Sequence, residues 1–373
     1  MYWRNGPQSL YTAYLWPALA AASASEMASF VAGQLLTLSQ AADDAPASEE
    51  PKGITPSRIA LELTSVRLRD FSTATSGTPA LLCTPLALHG AAVADLADGH
   101  SLVAALRAAG IDRLLLADWR SASPDMRFLG IDDYLADLNV LVDHAGGLVD
   151  LIGLCQGGWL ALVYAARFPA KVRKLVIAGA PIDTRAQSST LSAMAASTPP
   201  AVFQGFVTAG EGRVLGRHIA KFWGVAEPDA RDIQCSLQTS EPIGSAAFAQ
   251  LEARFNEWNS WTIDVPGRYF LEAMERLYKR NALAEGGFVA LGQTIELARL
   301  RTPMYLVAGR DDEVVAPEQL FALTRLAGTA PENIHCELAP SDHLGLFMGR
   351  RVLEQHWPGI VRWMKQTSLS SAA

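Results

Sequence analysis

The stretch that decides the fold is Gly153-Leu154-Cys155-Gln156-Gly157-Gly158, which has the form G-x-C-x-G-G. An apolar run over residues 148–153 leads into it and predicts a buried strand, and residues 159–167 predict a helix. A strand, a sharp glycine-rich turn and a helix are the context of a nucleophile elbow, here with cysteine where serine is usual. The motif alone also fits a buried cysteine in an ordinary turn.

Each part of this motif has a physical role in a nucleophile elbow. The glycines leave room for a strained turn that packs closely on the neighbouring helix and strand. The turn lifts the sulfur of Cys155 to the carboxyl edge of the sheet, and the following helix directs the positive end of its dipole at it. The backbone N–H of Gln156 is then predicted to stabilise an oxyanion.

Apolar strands alternate with helices on both sides of the motif. The predicted strands are residues 80–83, 113–119, 148–153, 174–179, 303–309 and 333–338. The predicted helices are residues 101–109, 132–144, 159–167, 318–327 and 352–365. This alternation predicts an α/β protein with a doubly wound, mostly parallel sheet.

The alternation stops after Pro181 and resumes near residue 300, which predicts an inserted, mainly helical lid or cap. Extra packing is the alternative interpretation, but insertions at the carboxyl edge of such a sheet lie where ligands bind. The predicted organisation is an N-terminal helical arm with an acidic linker (1–57), a first core part (58–183), the lid (184–297), a second core part (298–366) and a disordered tail (367–373).

Two later segments supply partners for Cys155. Asp312 follows the strand at residues 303–309, and His343 follows the strand at residues 333–338. The chain order nucleophile, acid, histidine is the one that α/β hydrolases use, so we predict a Cys155–Asp312–His343 triad on an α/β-hydrolase fold. Asp311 and Asp342 are rivals for the acid, since each lies beside a predicted triad member.

The second oxyanion donor is predicted in the loop after the first core strand, at Leu88 or Ala87. His89 lies in the same loop. The remaining histidines are predicted to be structural or solvated because they lack a strand-end position: His100, His144, His218, His335 and His356.

Composition narrows the classes of partner. A net charge of −7 over 373 residues disfavours nucleic acid and anionic membranes. The four cysteines are scattered without a CxxC pair, which predicts neither a disulfide framework nor a zinc site, and fits a cytoplasmic protein. No transmembrane segment and no cofactor are predicted, because the chain has no long apolar run, no dinucleotide-binding turn, no P-loop and no metal-ligand cluster.

The predicted triad indicates covalent catalysis on ester or thioester acyl groups. His343 takes the proton of Cys155, or holds an existing thiolate–imidazolium pair, and the sulfur attacks an acyl carbonyl. The acyl-thioester is then released to water or to an alcohol.

Over residues 78–365 the chain resembles the polyhydroxyalkanoate family of intracellular polyester depolymerases and polyester synthases. The segments similar to synthases are Gly153 to Gly158, Asp118-Trp119, Asp132 to Tyr134, and Phe255 to Asn259. The segments similar to depolymerases are Gly179 to Asp183 and His343 to Arg351. Residue matching carries the family's catalytic Cys, Asp and His onto Cys155, Asp312 and His343.

The resemblance implies a polyester or 3-hydroxyacyl (thio)ester substrate, and leaves a homodimer and attachment to the surface of polyester granules open. The chain departs from both patterns of the family, so the resemblance does not choose the reaction. Asp312 is followed by Glu313 instead of the synthases' histidine, and Gly157 and Gly158 are both kept, unlike in many depolymerases. The first hypothesis is an intracellular depolymerase. The alternatives are a synthase using 3-hydroxyacyl-CoA and a non-catalytic granule-associated protein.

Overall fold

An eight-stranded sheet forms the centre of the computed structural model, which describes residues 49–222 and 228–366 together with Ser29, Ala32 and Gly33. The strands are β1 (Arg58–Glu62), β2 (Val66–Asp70), β3 (Ala80–Cys83), β4 (Leu114–Trp119), β5 (Val149–Leu154), β6 (Val172–Ala178), β7 (Met304–Gly309) and β8 (Ile334–Ala339). Most of the predicted N-terminal arm and the predicted tail 367–373 lie outside the described residues.

The strand order is β1-β2-β4-β3-β5-β6-β7-β8. Strands β3 to β8 pair in parallel, whereas β2 is antiparallel to both β1 and β4. This arrangement confirms the prediction of a doubly wound, mostly parallel sheet. The β1–β2 hairpin was not among the predicted strands, although Val66, Leu68 and Asp70 alternate with partly exposed arginines as the period of a half-buried strand requires.

The helices lie between the strands, in the insertion and after the last strand. They are α1 (Leu102–Ala108), α2 (Ile131–His144), α3 (Gln156–Arg167), α4 (Thr190–Ser197), α5 (Pro200–Ala209), α6 (Gly216–Phe222), α7 (Ala230–Leu237), α8 (Ala246–Ser260), α9 (Gly267–Ala273), α10 (Ala282–Glu285), α11 (Pro317–Phe321), α12 (Leu323–Leu326), α13 (Gly345–Met348), α14 (Arg350–Gln355) and α15 (Trp357–Lys365). Helix α9 continues into a π-helical stretch, Met274–Lys279.

Successive residues of each strand face opposite sides of the sheet, so the fold has two apolar layers. In β3, Leu81 packs in the layer that contains α2 and α3, while Leu82 packs in the layer that contains α1 and α15. Both leucines are fully buried. Strand β5 lies beside β3 and is buried along its whole length, so the turn that follows it begins inside the molecule.

Two predicted helices are interrupted. Residues 318–327 form α11 and α12 with a break at Ala322, and residues 352–365 belong to α14 and α15 with a break at His356. The second break has a local cause, because Pro358 cannot donate a backbone hydrogen bond and fits only the first turn of a helix.

Helices α4 to α10 lie between β6 and β7, in the segment predicted as the lid. A polar cluster ties the two ends of this insertion together. The amide of Asn281 donates to Asp183 at 2.8 Å and accepts from the backbone N–H of Thr184 at 3.0 Å, and Arg325 pairs with Asp183 from outside the insertion. Within the described ranges, no helix is long and apolar enough to span a bilayer.

Candidate functional site

Cys155 occupies the turn between β5 and α3 with φ 48° and ψ −117°. A non-glycine residue with this backbone conformation costs about 1–3 kcal/mol and persists only where the surroundings hold it. Here the Cys155 N–H donates to Ala178 O at 2.9 Å, and the Cys155 carbonyl accepts from Gly158 N at 2.8 Å. The strained turn is the backbone geometry expected of a nucleophile elbow.

The glycines after Cys155 are required by space. A Cβ at Gly157 would lie 2.3 Å from Cys83 O and 2.5 Å from Thr84 O, which are backbone atoms at the end of β3. A Cβ at Gly158 would lie 2.5 Å from Ala180 Cβ. Helix α3 therefore packs on the sheet more closely than any other residue would allow, as predicted from the motif.

Replacing Gly157 with alanine should lower the free energy of unfolding by about 3 kcal/mol or more, because the backbone after β3 cannot move away without breaking the sheet. Urea denaturation of both proteins measures the difference. The matched control is Gly359→Ala in α15, where the nearest atom to an added Cβ is the flexible end of Arg362 at 3.5 Å. We expect that control to be neutral or stabilising, and equal losses in both variants would contradict the packing argument.

His343 and Asp312 form a buried hydrogen-bonded pair. The Nδ1–H of His343 donates to Asp312 Oδ2 at 2.7 Å, and Asp312 Oδ1 accepts from the backbone N–H groups of Val314 and Val315 at 2.9 and 2.8 Å. The carboxylate is thus fixed by the turn after β7. Because Nδ1 is used, Nε2 is the nitrogen left for Cys155.

The electrostatics of this pair favour proton uptake by His343. Burial acts to lower the pKa of His343, but the Asp312 carboxylate, the Cys155 sulfur and hydrogen bonds with both groups raise that pKa well above its usual value. Cys155 and His343 are each only 8% exposed, so bulk water screens these interactions weakly. The arrangement can accept the thiol proton and return it to a leaving group.

The two rivals for the acid border the same cavity but make other contacts. Asp311 is exposed, and its backbone N–H donates to Ser341 O at 3.0 Å. Asp342 accepts from the backbone N–H of Gly345 at 2.7 Å and from the hydroxyl of Ser236. The structure therefore places Asp312, rather than either neighbour, against the His343 ring.

Gln156 and Leu88, with Ala87, line the same cavity as Cys155. Gln156 is the first residue of α3, so its backbone N–H is one of the helix N–H groups without an acceptor inside the helix. Cys155 is unsuited to this role because its own N–H is bonded to Ala178. The oxyanion donors stay a prediction, with Leu88 and Ala87 both placed for the second position.

An apolar cavity of about 220 Å³ opens over Cys155 and His343. Nearly half of its lining residues come from the insertion, including Ile219, Ile263, Phe270 and Met274. The apolar walls suit the hydrocarbon part of an acyl group and offer water few partners. This placement supports the interpretation of the insertion as a lid, which stays a proposal.

His89 contributes to the same cavity but carries no charge near neutral pH. Burial lowers its pKa to about 4, despite a 3.1 Å contact of Nδ1 with Trp261 O that acts in the opposite direction. The ring packs on Trp258, with 4.4 Å between ring centroids. His89 thus shapes the wall and does not compete with His343 as a base.

The other histidines lie away from the triad. His100 is buried with Nδ1 2.9 Å from Met348 O. His356, between α14 and α15, pairs with Glu337 of β8, and His335 of β8 stacks on Tyr305 of β7. These contacts agree with structural roles.

Several residues that carry the family resemblance support the fold. Asp118 is buried and its carboxylate lies 2.7 Å from Arg69 Nε, which ties β4 to β2. Asp132 accepts from the backbone N–H of Leu291 at 2.8 Å and so connects α2 to the insertion. Sequence reasoning missed two polar side chains of the cavity, those of Gln156 and Tyr278, which are hydrogen-bonded at 3.0 Å. No local pattern could have paired them, because they are 122 residues apart in the chain.

A family model described as the α/β-hydrolase fold matches residues 107–349. The chain belongs to the α/β-hydrolase fold family. A solved structure, of a membrane phospholipase A, superposes with a TM-score of 0.51 at 15% identity, covering 96% of this chain and 99% of that one, which shows likeness of fold.

Among curated proteins, the chain is similar to poly(3-hydroxyalkanoate) polymerase subunits named PhaC. The protein of Haloferax mediterranei is 26% identical over 351 residues, covering 90% of this chain and 70% of the relative. That of Synechocystis sp. is 28% identical over 282 residues, covering 73% and 74%. These matches confirm the predicted resemblance to the polyhydroxyalkanoate family and the prediction of an enzyme. They favour the synthase alternative over the depolymerase hypothesis.

Proposed function

We propose that this α/β-hydrolase is an acyltransferase that polymerises 3-hydroxyacyl groups, with 3-hydroxyacyl-CoA as the donor. The observation that carries the proposal is a thiol, Cys155, beside the buried His343–Asp312 pair at the wall of an apolar cavity. The similarity to polymerase subunits supports the same choice of reaction. We also propose that the protein is cytoplasmic and that it attaches to the surface of polyester granules.

In the first half-reaction, His343 takes the proton from Cys155, and the sulfur attacks the carbonyl carbon of the CoA thioester. The tetrahedral oxyanion is stabilised by backbone N–H groups, with Gln156 and Leu88 as the proposed donors. The bond from the carbonyl carbon to the CoA sulfur then breaks, and the CoA thiolate takes the proton from His343. The product is a 3-hydroxyacyl thioester on Cys155 and free CoA.

In the second half-reaction, a 3-hydroxyl group of another acyl chain gives its proton to His343 and attacks the thioester carbon. The new oxygen ester forms, the bond to the Cys155 sulfur breaks, and His343 returns the proton to the sulfur. A thiol nucleophile suits this sequence because exchange between thioesters keeps the acyl group activated for transfer to a hydroxyl. The apolar cavity favours transfer over hydrolysis, since water finds few partners there.

The test is intact-mass spectrometry of the protein after mixing with 3-hydroxybutyryl-CoA, while free CoA and free 3-hydroxybutyrate are measured. We expect one or more 3-hydroxybutyryl units on Cys155, release of CoA, and little free acid. Free 3-hydroxybutyrate formed in step with CoA would show a hydrolase instead. No adduct and no CoA release would remove the acyltransferase proposal for this donor.

A further inference from the structure

The side chain of Gln156 is held in one orientation by Trp159. The indole Nε1–H of Trp159 lies 2.7 Å from Gln156 Oε1, and an indole nitrogen can only donate a hydrogen bond. The amide oxygen must therefore face Trp159, and the amide nitrogen must face the other way. That nitrogen, Nε2, lies 3.0 Å from the hydroxyl oxygen of Tyr278.

This orientation decides the role of the Tyr278 hydroxyl. Because Gln156 Nε2 donates, the Tyr278 oxygen accepts, and the hydroxyl hydrogen of Tyr278 is left to donate elsewhere. Over residues 49–222 and 228–366, the bond from Gln156 is the one hydrogen bond that this hydroxyl makes. Tyr278 is 3% exposed and lines the same cavity as Cys155.

The Tyr278 phenol remains protonated under working conditions. Burial raises its pKa well above the usual value, and the nearby Cys155 acts in the same direction against the hydrogen bond from Gln156. It is thus a fixed, uncharged donor in the cavity that Cys155 also lines.

The backbone at Tyr278 is specialised. Tyr278 lies in the π-helical stretch Met274–Lys279, which widens the helix after α9, and such stretches occur frequently at functional sites. The hydroxyl of Thr184 donates to Leu277 O at 3.0 Å, which fixes the wide turn from the other end of the insertion. The ring is therefore directed at the cavity by backbone geometry as well as by Gln156.

We propose that the Tyr278 hydroxyl donates a hydrogen bond to the 3-oxygen of the acyl group held on Cys155, and so selects 3-hydroxyacyl over unsubstituted acyl groups. The inference rests on the proposed acyl transfer and adds the group that recognises the substrate. An acyl chain without that oxygen leaves a buried donor unpaired in an apolar cavity, which costs binding energy in the acylation step. Gln156 and Trp159 are then positioning residues, because they act through Tyr278.

The experiment compares acylation by 3-hydroxybutyryl-CoA and by butyryl-CoA, two thioesters that differ by the one oxygen. The rate of adduct formation in a single turnover is measured for the wild type and for Tyr278→Phe. We expect the wild type to prefer the hydroxylated substrate by about tenfold, the size of one neutral hydrogen bond, and the ratio in Tyr278→Phe to fall to about one.

The matched control is Tyr134→Phe in α2. Tyr134 is also fully buried, its hydroxyl has no hydrogen-bond partner in the part of the chain that the structure describes, and it is not among the residues lining the cavity. Its ratio should equal that of the wild type. Trp159→Phe frees the Gln156 amide to turn, so the preference should fall in that variant although the Tyr278 hydroxyl is still present.

A Tyr278→Phe protein that forms the adduct and keeps the wild-type ratio would overturn the inference while leaving the acyltransferase proposal intact. Absence of an adduct from both thioesters in the wild type would overturn the proposed function and this inference with it. Thermal denaturation of each variant shows whether it is folded, and the comparison uses a ratio within one protein, so a general loss of active enzyme cancels.

Discussion

Replacing Cys155 with alanine should remove the acyl adduct and lower the rate of CoA release by about 10⁴-fold or more, the usual cost of deleting a nucleophile. The reason is that covalent transfer needs the sulfur at the one position where the elbow, the His343 ring and the apolar cavity meet. Intact-mass spectrometry and a continuous assay of free CoA measure the two effects on the same samples.

The other three cysteines provide the controls. Cys83 is fully buried in β3, and burial raises the pKa of its thiol to about 12, so it is a poor nucleophile. Cys235 and Cys336 are exposed and can react with any thiol reagent. A Cys235→Ala, Cys336→Ala double variant should keep the adduct and CoA release. An adduct that survives in Cys155→Ala and disappears in the double variant would place the chemistry outside the proposed site.

The sequence could predict that Cys155, Asp312 and His343 lie close together because each follows a strand, where the local pattern is informative. Gly157 and Gly158 follow Cys155 because α3 lies so close to the sheet that a side chain at either position would collide with it. Asp312 and His343 follow β7 and β8, and parallel neighbouring strands bring their ends to one edge. The order of the motifs therefore carried enough information to place three distant residues together.

Other features depend on contacts that the sequence does not encode locally. The β1–β2 hairpin is an exception, because its alternation is local and was missed only since partly exposed arginines interrupt the apolar run that marked the other strands. The hydrogen bond from Gln156 to Tyr278 joins the first core part to the insertion, so it follows from how the insertion packs. The preference for a polymerase in the proposed function rests on similarity to known proteins, because the predicted triad fits either reaction.

Replacing Asp312 with asparagine should lower kcat/KM for acylation by about 10³- to 10⁴-fold with little change in the fold. The carboxylate now accepts the Nδ1–H of His343 at 2.7 Å, which leaves Nε2 for the sulfur. An asparagine amide can donate to Nδ1 instead, which would favour the tautomer with the proton on Nε2 and remove the base facing Cys155. Single-turnover adduct formation measures the loss.

The Asp312→Asn substitution should also shift the pH dependence of the acylation rate. The Asp312 carboxylate helps to raise the pKa of His343 well above its usual value, because it stabilises the imidazolium form. Its removal destabilises that form, so the limb of the pH–rate profile controlled by His343 should shift to lower pH. The direction is the same whether His343 acts as the base toward the thiol or as the acid toward the leaving group, since both depend on one pKa.

Asp342→Asn is the matched control for this shift, because it removes a carboxylate charge from the residue next to His343. Its carboxylate accepts from Gly345 N and from the Ser236 hydroxyl. The substitution should leave the His343 limb in place, although it weakens the turn before α13. If the limb stayed fixed in Asp312→Asn and moved in Asp342→Asn, the acid would be Asp342, and the hydrogen bond from His343 to Asp312 would be structural. A shift confined to Asp312→Asn would assign the orienting carboxylate to Asp312.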